Sequence, residues 1–341
     1  MFKQLLAKCA EGQHLLEDEA YVAMDLIMKD KVEVSQIASL ISMMRLRGET
    51  VEELIGFTKA MRAHAVSIPH TLDVVLDTCG TGGDNLGTFN ISTAVSFVAA
   101  TAGVPVAKHG NRAVTSKSGS ADVLEYLGID IQKSPEAAAQ ALEQTGLSFL
   151  FAPLYHSSMK FAAPARKQIG FRTIFNLLGP MTNPAGADHQ LIGVSGREHA
   201  LKMGEAIRRL GTTHTVLVTG ADNLDECSVH GSTQIVDVQN DEIHVYEITP
   251  EEVGIKPGLL AEIQVNSVQE SANLIRRVFD GTANQSAISI VIFNAGVALY
   301  AANHVQSIQE GVALAKDLLQ SNKVLNYTSE RQPHQEGYKH A

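Results

Sequence analysis

The stretch Asp77-Thr-Cys-Gly-Thr-Gly-Gly-Asp-Asn-Leu-Gly-Thr-Phe-Asn-Ile-Ser-Thr93 sets four glycines, Gly80, Gly82, Gly83 and Gly87, within eight residues. A β-type run, Val74, Val75 and Leu76, precedes it, and Ile91 to Ala102 reads as a small-residue helix. A glycine loop between strand and helix lets backbone N–H groups approach a ligand closely. Those amides and the dipole of the helix starting near Ser92 favour a phosphate or pyrophosphate. A plain turn does not call for this density of glycine. Two familiar phosphate loops are excluded. A dinucleotide fingerprint from Gly80 requires glycine at 85, where Asn85 stands, and a P-loop from Gly82 reaches Gly87 but then offers Thr88 instead of lysine.

A second strand-loop-helix unit follows: Val104 to Ala107, a polar loop from His109 to Ser118, and a helix from Ser120 through Leu127. Between Cys79 and Gly119 three basic residues, Lys108, Arg112 and Lys117, face the single acid Asp84, in a chain whose net charge is −10. A positive spot in an acidic protein points to a small polyanionic ligand. Further strands are expected at Leu147 to Phe151, Leu191 to Val194, Thr215 to Val218, Gln234 to Val238 and Ile243 to Glu247. Helices are expected at Ser134 to Thr145, Glu198 to Arg209, Ser267 to Phe279, Ala287 to Ala302 and Ile308 to Leu319. Strands alternating with helices give an α/β fold, a mostly parallel sheet flanked by helices. From Phe2 to about His64 the apolar period is helical, with Ser35 and Thr50 as candidate N-caps, before Ile68-Pro69-His70 breaks it. This predicts a separate all-helical domain over 1–70, rejoined by a return segment near 165–185, and an α/β domain over 71–341.

After the strand at 215–218 stand adjacent carboxylates, Asp225 and Glu226. Alone such a pair reads as an exposed turn. Beside an anion loop it fits Mg²⁺, which takes one or two protein carboxylates with phosphate oxygens and water. The charge of −10 argues against nucleic acid, and no apolar run reaches the length of a membrane span. Cys9, Cys79 and Cys227 lack metal or redox spacing, which fits a cytoplasmic protein. Zinc-protease and serine-hydrolase motifs are absent from the sequence.

GTGGD at 80–84, NIST at 90–93 and KHGNRAVTSKSGSADVLEYLG at 108–128 closely resemble the anthranilate phosphoribosyltransferases. So do FLFAPLYH at 149–156, RTIFNLLGPMTNPAG at 172–186, QLIGV at 190–194 and LDE at 224–226, all in order. Where that family reads HPAMKH, this chain has His156-Ser-Ser-Met-Lys-Phe161. The resemblance implies the nucleoside-phosphorylase-like fold of class IV phosphoribosyltransferases, a homodimer formed through the helical part, and two Mg²⁺ per active site. It implies that phosphoribosyl pyrophosphate is held by Gly80, Gly83, Asp84, Thr88, Asn90, Ile91, Ser92 and Thr93. A second set, Lys108, His109, Gly110, Asn111, Arg112, Ala113, Val114, Thr115, Ser116 and Ser120, would complete that site. Ser92, Asp225 and Glu226 would bind the metal. Anthranilate would meet Asn111 and Arg166, its route lined by Gly80, His109, His156 and Pro180. No general base is assigned, because an aniline amine is neutral at pH 7. A pyrimidine nucleoside phosphorylase is the nearest enzymatic alternative, and it would not need the Asp225/Glu226 pair. A non-catalytic nucleic-acid-binding relative would need a basic surface. The residues carry no signal of a complex with anthranilate synthase.

Overall fold

The computed structural model describes residues 1–113 and 117–331. Four helices open the chain: α1 (Phe2–Ala10), α2 (Glu17–Met28), α3 (Val34–Arg47) and α4 (Val51–Ala63). Thr50 caps α4 as expected, its side chain accepting from the Glu53 amide. Ser35 is not a cap: the N-cap of α3 is Glu33, two residues earlier, and Gln36 reaches back to the Glu33 amide. Glu53 does more than its box requires. Its buried carboxylate accepts from Arg47 of α3 and from the Leu15 amide before α2 (2.9 Å), so one side chain fixes three helices.

The rest of the chain runs β1 (Leu76–Gly80), α5 (Ile91–Thr101), β2 (Val106–Gly110), α6 (Ser120–Tyr126), α7 (Pro135–Thr145), β3 (Leu147–Phe151), α8 (Ala152–Tyr155), α9 (Ala163–Ile169) and α10 (Phe175–Leu178). It continues through β4 (His189–Gly193), α11 (Arg197–Leu210), β5 (His214–Thr219), β6 (Thr233–Gln239), β7 (Glu242–Ile248), α12 (Val268–Phe279), α13 (Gln285–Ala301), α14 (Ile308–Gln320) and α15 (Lys323–Ser329). The strands form one sheet in the order β3-β2-β1-β4-β5-β6-β7. The first five are parallel, and the hairpin β6-β7 adds an antiparallel edge.

Two expected strands shift toward the site. The runs at 74–76 and 104–107 are only the entrances to β1 and β2, which continue through Asp77, Thr78, Lys108 and His109. His109 and Gly110 therefore belong to a strand instead of to the loop. Polar residues end these buried strands because their carbonyl-end edge faces the site, so the apolar signal fades before the strand does.

One core lies where α5 and α13 pack across the sheet with α12, α14 and α15. Fourteen of the seventeen residues of α13 are buried and none is charged, as its position at the centre demands. A second core joins α1–α4 to α9, α10, α11 and the other face of β4, β5 and β6. The chain leaves the sheet after β3, crosses to the helices, where α9 packs on α3, and returns to β4.

Candidate active site

Strand order reverses between β1 and β4: the chain fills β2 and β3 on one side of β1 and β4 and β5 on the other. Such a switch point leaves a crevice at the carboxyl ends of the strands. Gly80 ends β1 and pairs with Gly193, which ends β4. Gly193 has no room for a side chain, and one on Gly80 would have to push the Asp225 carboxylate aside. A Cβ on Gly193 would lie 1.6 Å from the Asp225 carbonyl oxygen, and one on Gly80 would lie 2.8 Å from Asp225 Oδ2. The segment after β5 is thus folded across the two strand ends. Left-handed Asp222 (φ 58°) and Asn223 (φ 59°) turn it back, and the Gly220 amide closes the turn on the Leu224 carbonyl (2.8 Å). Buried Asn294 of α13 clamps Cys227, accepting from its amide (2.8 Å) and donating to its carbonyl (3.1 Å).

This places the acidic pair against the glycine loop. Asp225 Oδ2 accepts from the Gly82 amide at 2.8 Å, and Glu226 Oε1 from the Ser92 amide at 3.1 Å, at the start of α5. Asp84 stands beside Asp225. One of its oxygens accepts from the Leu86 amide (3.0 Å), and the other, buried, has no partner among the described residues. Burial, then the charge of Asp84, pushes the Asp225 carboxyl up to about 7. Burial, then Asp225, raises Glu226 as well. Three acids held this way oppose one another and favour a cation. Among the described residues no three His, Cys, Asp or Glu side chains form a ready-made metal cage. Mg²⁺ at a site of one or two carboxylates takes its remaining ligands from substrate phosphate and water.

Lys108, on β2, is buried and runs beneath the loop, donating to the Thr78 carbonyl and to Ser92 Oγ (3.1 Å). Thr78 in turn donates to the Ser92 carbonyl (3.1 Å). Ser92 is therefore oriented by strand, lysine and acid together. Asn90 holds the N-cap position of α5 without a side-chain cap bond; its carboxamide oxygen instead accepts from Ser118 (2.6 Å) and Ser271 (2.8 Å), tying the second loop to the first. Ile91 is core, with its amide bonded to the Phe89 carbonyl, and Thr93 is buried with its hydroxyl unpartnered. Thr88 bridges to Gln264. Gly110 ends β2, and a Cβ there would meet Ser120 Oγ at 2.3 Å. Asn111 and Ala113 follow; the Asn111 carbonyl accepts from Ser120 Oγ at 3.3 Å, and the Ala113 amide donates to Asp122. Arg112 is exposed and paired with Asp122 and Glu125. Val114, Thr115 and Ser116 lie outside the described residues.

On the other flank His109 and His156 are buried with ring centroids 5.1 Å apart. Burial lowers both, His109 to about 3, so both imidazoles are neutral at pH 7. Among the described residues the Nε2 of each is buried without a partner. The Pro180 carbonyl accepts from Gln190 (2.7 Å) in the turn Gly179–Thr182. Ser157–Phe161, where the chain departs from HPAMKH, forms a 3₁₀ turn with Lys160 over the Phe161 ring. Arg166, on α9, is half-buried against the Phe175 ring at 5.1 Å and has no carboxylate partner among the described residues. Sequence reasoning missed Asn294, Ser271 and Arg172. Only Arg172 stood within a quoted motif.

The family described as "Glycosyl transferase family, a/b domain" matches residues 72–325, and its "helical bundle domain" counterpart matches 3–65. Anthranilate phosphoribosyltransferase of Shouchella clausii (strain KSM-K16) is 56% identical over 341 residues, all of both chains. The crystal structure of anthranilate phosphoribosyltransferase from Thermus thermophilus superposes with a TM-score of 0.89 at 39% identity, over 96% of this chain and 97% of that one. A Saccharomyces cerevisiae anthranilate phosphoribosyltransferase in complex with PRPP and Mg shares the fold at 24% identity, with a TM-score of 0.88 over 97% of this chain and 96% of that chain. With the switch-point crevice, the glycine loop and the acidic pair in place, the chain belongs to the anthranilate phosphoribosyltransferase family.

Proposed function

We propose that the chain transfers the phosphoribosyl group of 5-phospho-α-D-ribose 1-diphosphate to the amine of anthranilate, giving N-(5-phosphoribosyl)anthranilate and pyrophosphate, in tryptophan biosynthesis. The observation that carries this reading is the Asp225–Glu226 segment folded over Gly80 and Gly193 against the loop at 80–93. A phosphorylase taking inorganic phosphate has no use for that acidic pair. We assign two Mg²⁺ to Ser92, Asp225, Glu226 and the diphosphate; when bound, the metal offsets charge building on the leaving pyrophosphate.

The residues otherwise act by holding and orienting. Loop amides between Gly80 and Thr93 cradle the diphosphate, and Lys108 fixes Ser92 from below. The segment from Lys108 to Ser116, with Ser120, holds the remainder of the phosphoribosyl group. Arg166 takes the anthranilate carboxylate, and Asn111, Gly80, His109, His156 and Pro180 shape its route. Neutral His109 and His156 offer an aromatic substrate flat faces without adding charge. The bond from ribose C1 to diphosphate oxygen breaks as the amine lone pair forms the C1–N bond on the opposite face. The amine then loses its proton to solvent. Alignment and charge stabilisation carry the rate, and no general base is assigned.

Residues 1–70 with the return segment at 165–185 make the helical domain, and 71–341 the α/β domain. Their shared core supports an arrangement with the cleft at the junction. The protein works as a cytoplasmic homodimer through the helical part. Three free cysteines support the reducing compartment, and exposed Met1, Leu16 and Leu46 support the interface. Among the described residues no helix is long and apolar enough to cross a membrane. A monomeric mass in sedimentation would contradict the dimer.

Gly83→Val tests the loop. Gly83 has φ +82°, and a Cβ there would lie 2.0 Å from Arg172 Nη1, so valine strains the loop backbone and displaces the Arg172 guanidinium. Binding of phosphoribosyl pyrophosphate with Mg²⁺ should weaken roughly 10- to 30-fold by calorimetry, with unchanged circular dichroism. Unchanged affinity would reduce the loop to a turn.

A further inference from the structure

The close approach at Gly83 identifies a group that no motif assigned. Arg172 lies in the segment between α9 and α10, on the part of the chain that also carries Arg166, yet its guanidinium rests on the loop of the opposite half-site. All three of its outer guanidinium atoms nearest the loop, Nη1, Cζ and Nε, fall within 2.7 Å of the position a Gly83 Cβ would take. Its one hydrogen bond among the described residues runs from Nη2 to the Thr81 carbonyl, at 3.2 Å. A guanidinium has five N–H donors, so most of its capacity is uncommitted. The side chain is half-buried, Asp225 and Asp84 act on it electrostatically without forming an ion pair, and Arg45 of α3 adds positive charge nearby. The Thr173 amide donates to Asn176 Oδ1 (3.0 Å), which holds the backbone beside Arg172 in place.

We propose that Arg172 is a binding residue for the diphosphate of the phosphoribosyl donor, its free N–H groups facing phosphate oxygens held over Gly82 and Gly83. This rests on the donor assignment above. A half-buried guanidinium with unused donors, resting against Gly83 in the glycine loop, matches the planar, charge-assisted recognition of phosphate oxygens. Because 166–172 is one short stretch, it carries a cation toward each substrate: Arg166 for the aromatic carboxylate and Arg172 for the diphosphate. The two halves of the cleft are thereby linked through the chain that returns from the helices to the sheet.

Three variants separate charge from scaffolding: Arg172→Ala, Arg172→Gln, which keeps a donor for the Thr81 carbonyl without charge, and Arg172→Lys, which keeps the charge. Calorimetry with inorganic pyrophosphate and with phosphoribosyl pyrophosphate, each with Mg²⁺, is paired with steady-state kinetics and melting curves. The alanine and glutamine variants should bind both ligands about 10- to 30-fold more weakly, with the anthranilate KM changed less than about twofold. The lysine variant should recover to within about threefold of the wild type. Wild-type affinity in Arg172→Ala, or glutamine restoring binding where lysine does not, would overturn the proposal and leave Arg172 as a staple on Thr81. A wild-type protein that binds neither ligand would instead overturn the donor assignment itself.

Discussion

Replacing Asp225 by asparagine, or Glu226 by glutamine, is expected to lower turnover by roughly 100- to 1000-fold and to raise the Mg²⁺ concentration needed for half-maximal rate. Each change removes one unit of negative charge from the place where the metal must meet the leaving group. The backbone should tolerate both, since an amide can accept the Gly82 or Ser92 N–H as the carboxylate does. Stability should move the other way. Burial and Asp84 raise the Asp225 carboxyl, so its ionised form is opposed by the fold. In the metal-free wild type this group's contribution is most favourable below its ordinary value of 3.8, is lost progressively as pH rises from there to about 7, and stays lost above it. At pH 8 without Mg²⁺, Asp225→Asn should melt at or above the wild-type temperature, and added Mg²⁺ should raise the wild type alone. Equal responses of melting and rate to Mg²⁺ in all three proteins would remove the metal assignment.

Arg166→Ala is expected to raise the apparent KM for anthranilate about 30- to 150-fold, as losing one charge-assisted pair of roughly 2 to 3 kcal/mol implies. The guanidinium is half-buried, stacks on Phe175 and has no carboxylate partner among the described residues. A buried cation left in that state fits a ligand that supplies the anion. Phosphoribosyl pyrophosphate should bind almost as before, since its loops lie elsewhere. Steady-state kinetics with each substrate varied in turn separates the outcomes. Equal losses for both would mean damaged packing on Phe175, and an unchanged anthranilate KM would take Arg166 out of the site.

The periodic parts of this fold were legible in the sequence. Every strand was placed within a few residues, β3 end to end and α7 to within one residue, because their apolar pattern is set by the core alone. What the sequence hid lies where function or tertiary contact overrides pattern. Lys108 and His109 disguised the end of β2, and α8, α9 and α10 are too short to show a helical period. The glycine loop and the Asp225/Glu226 pair could each be read separately. Their meeting could not, because it depends on the left-handed turn at Asp222 and Asn223 and on two bare strand ends. Asn294 and Arg172 had no local signature, since each acts on a segment distant in sequence.

The central claim is the reaction, and anthranilate fluorescence reports on it directly. With the purified protein, fluorescence should fall with time only when anthranilate, phosphoribosyl pyrophosphate and Mg²⁺ are all present, with one pyrophosphate released per anthranilate consumed. Stable fluorescence in the complete mixture, together with phosphate-dependent cleavage of a pyrimidine nucleoside, would contradict it.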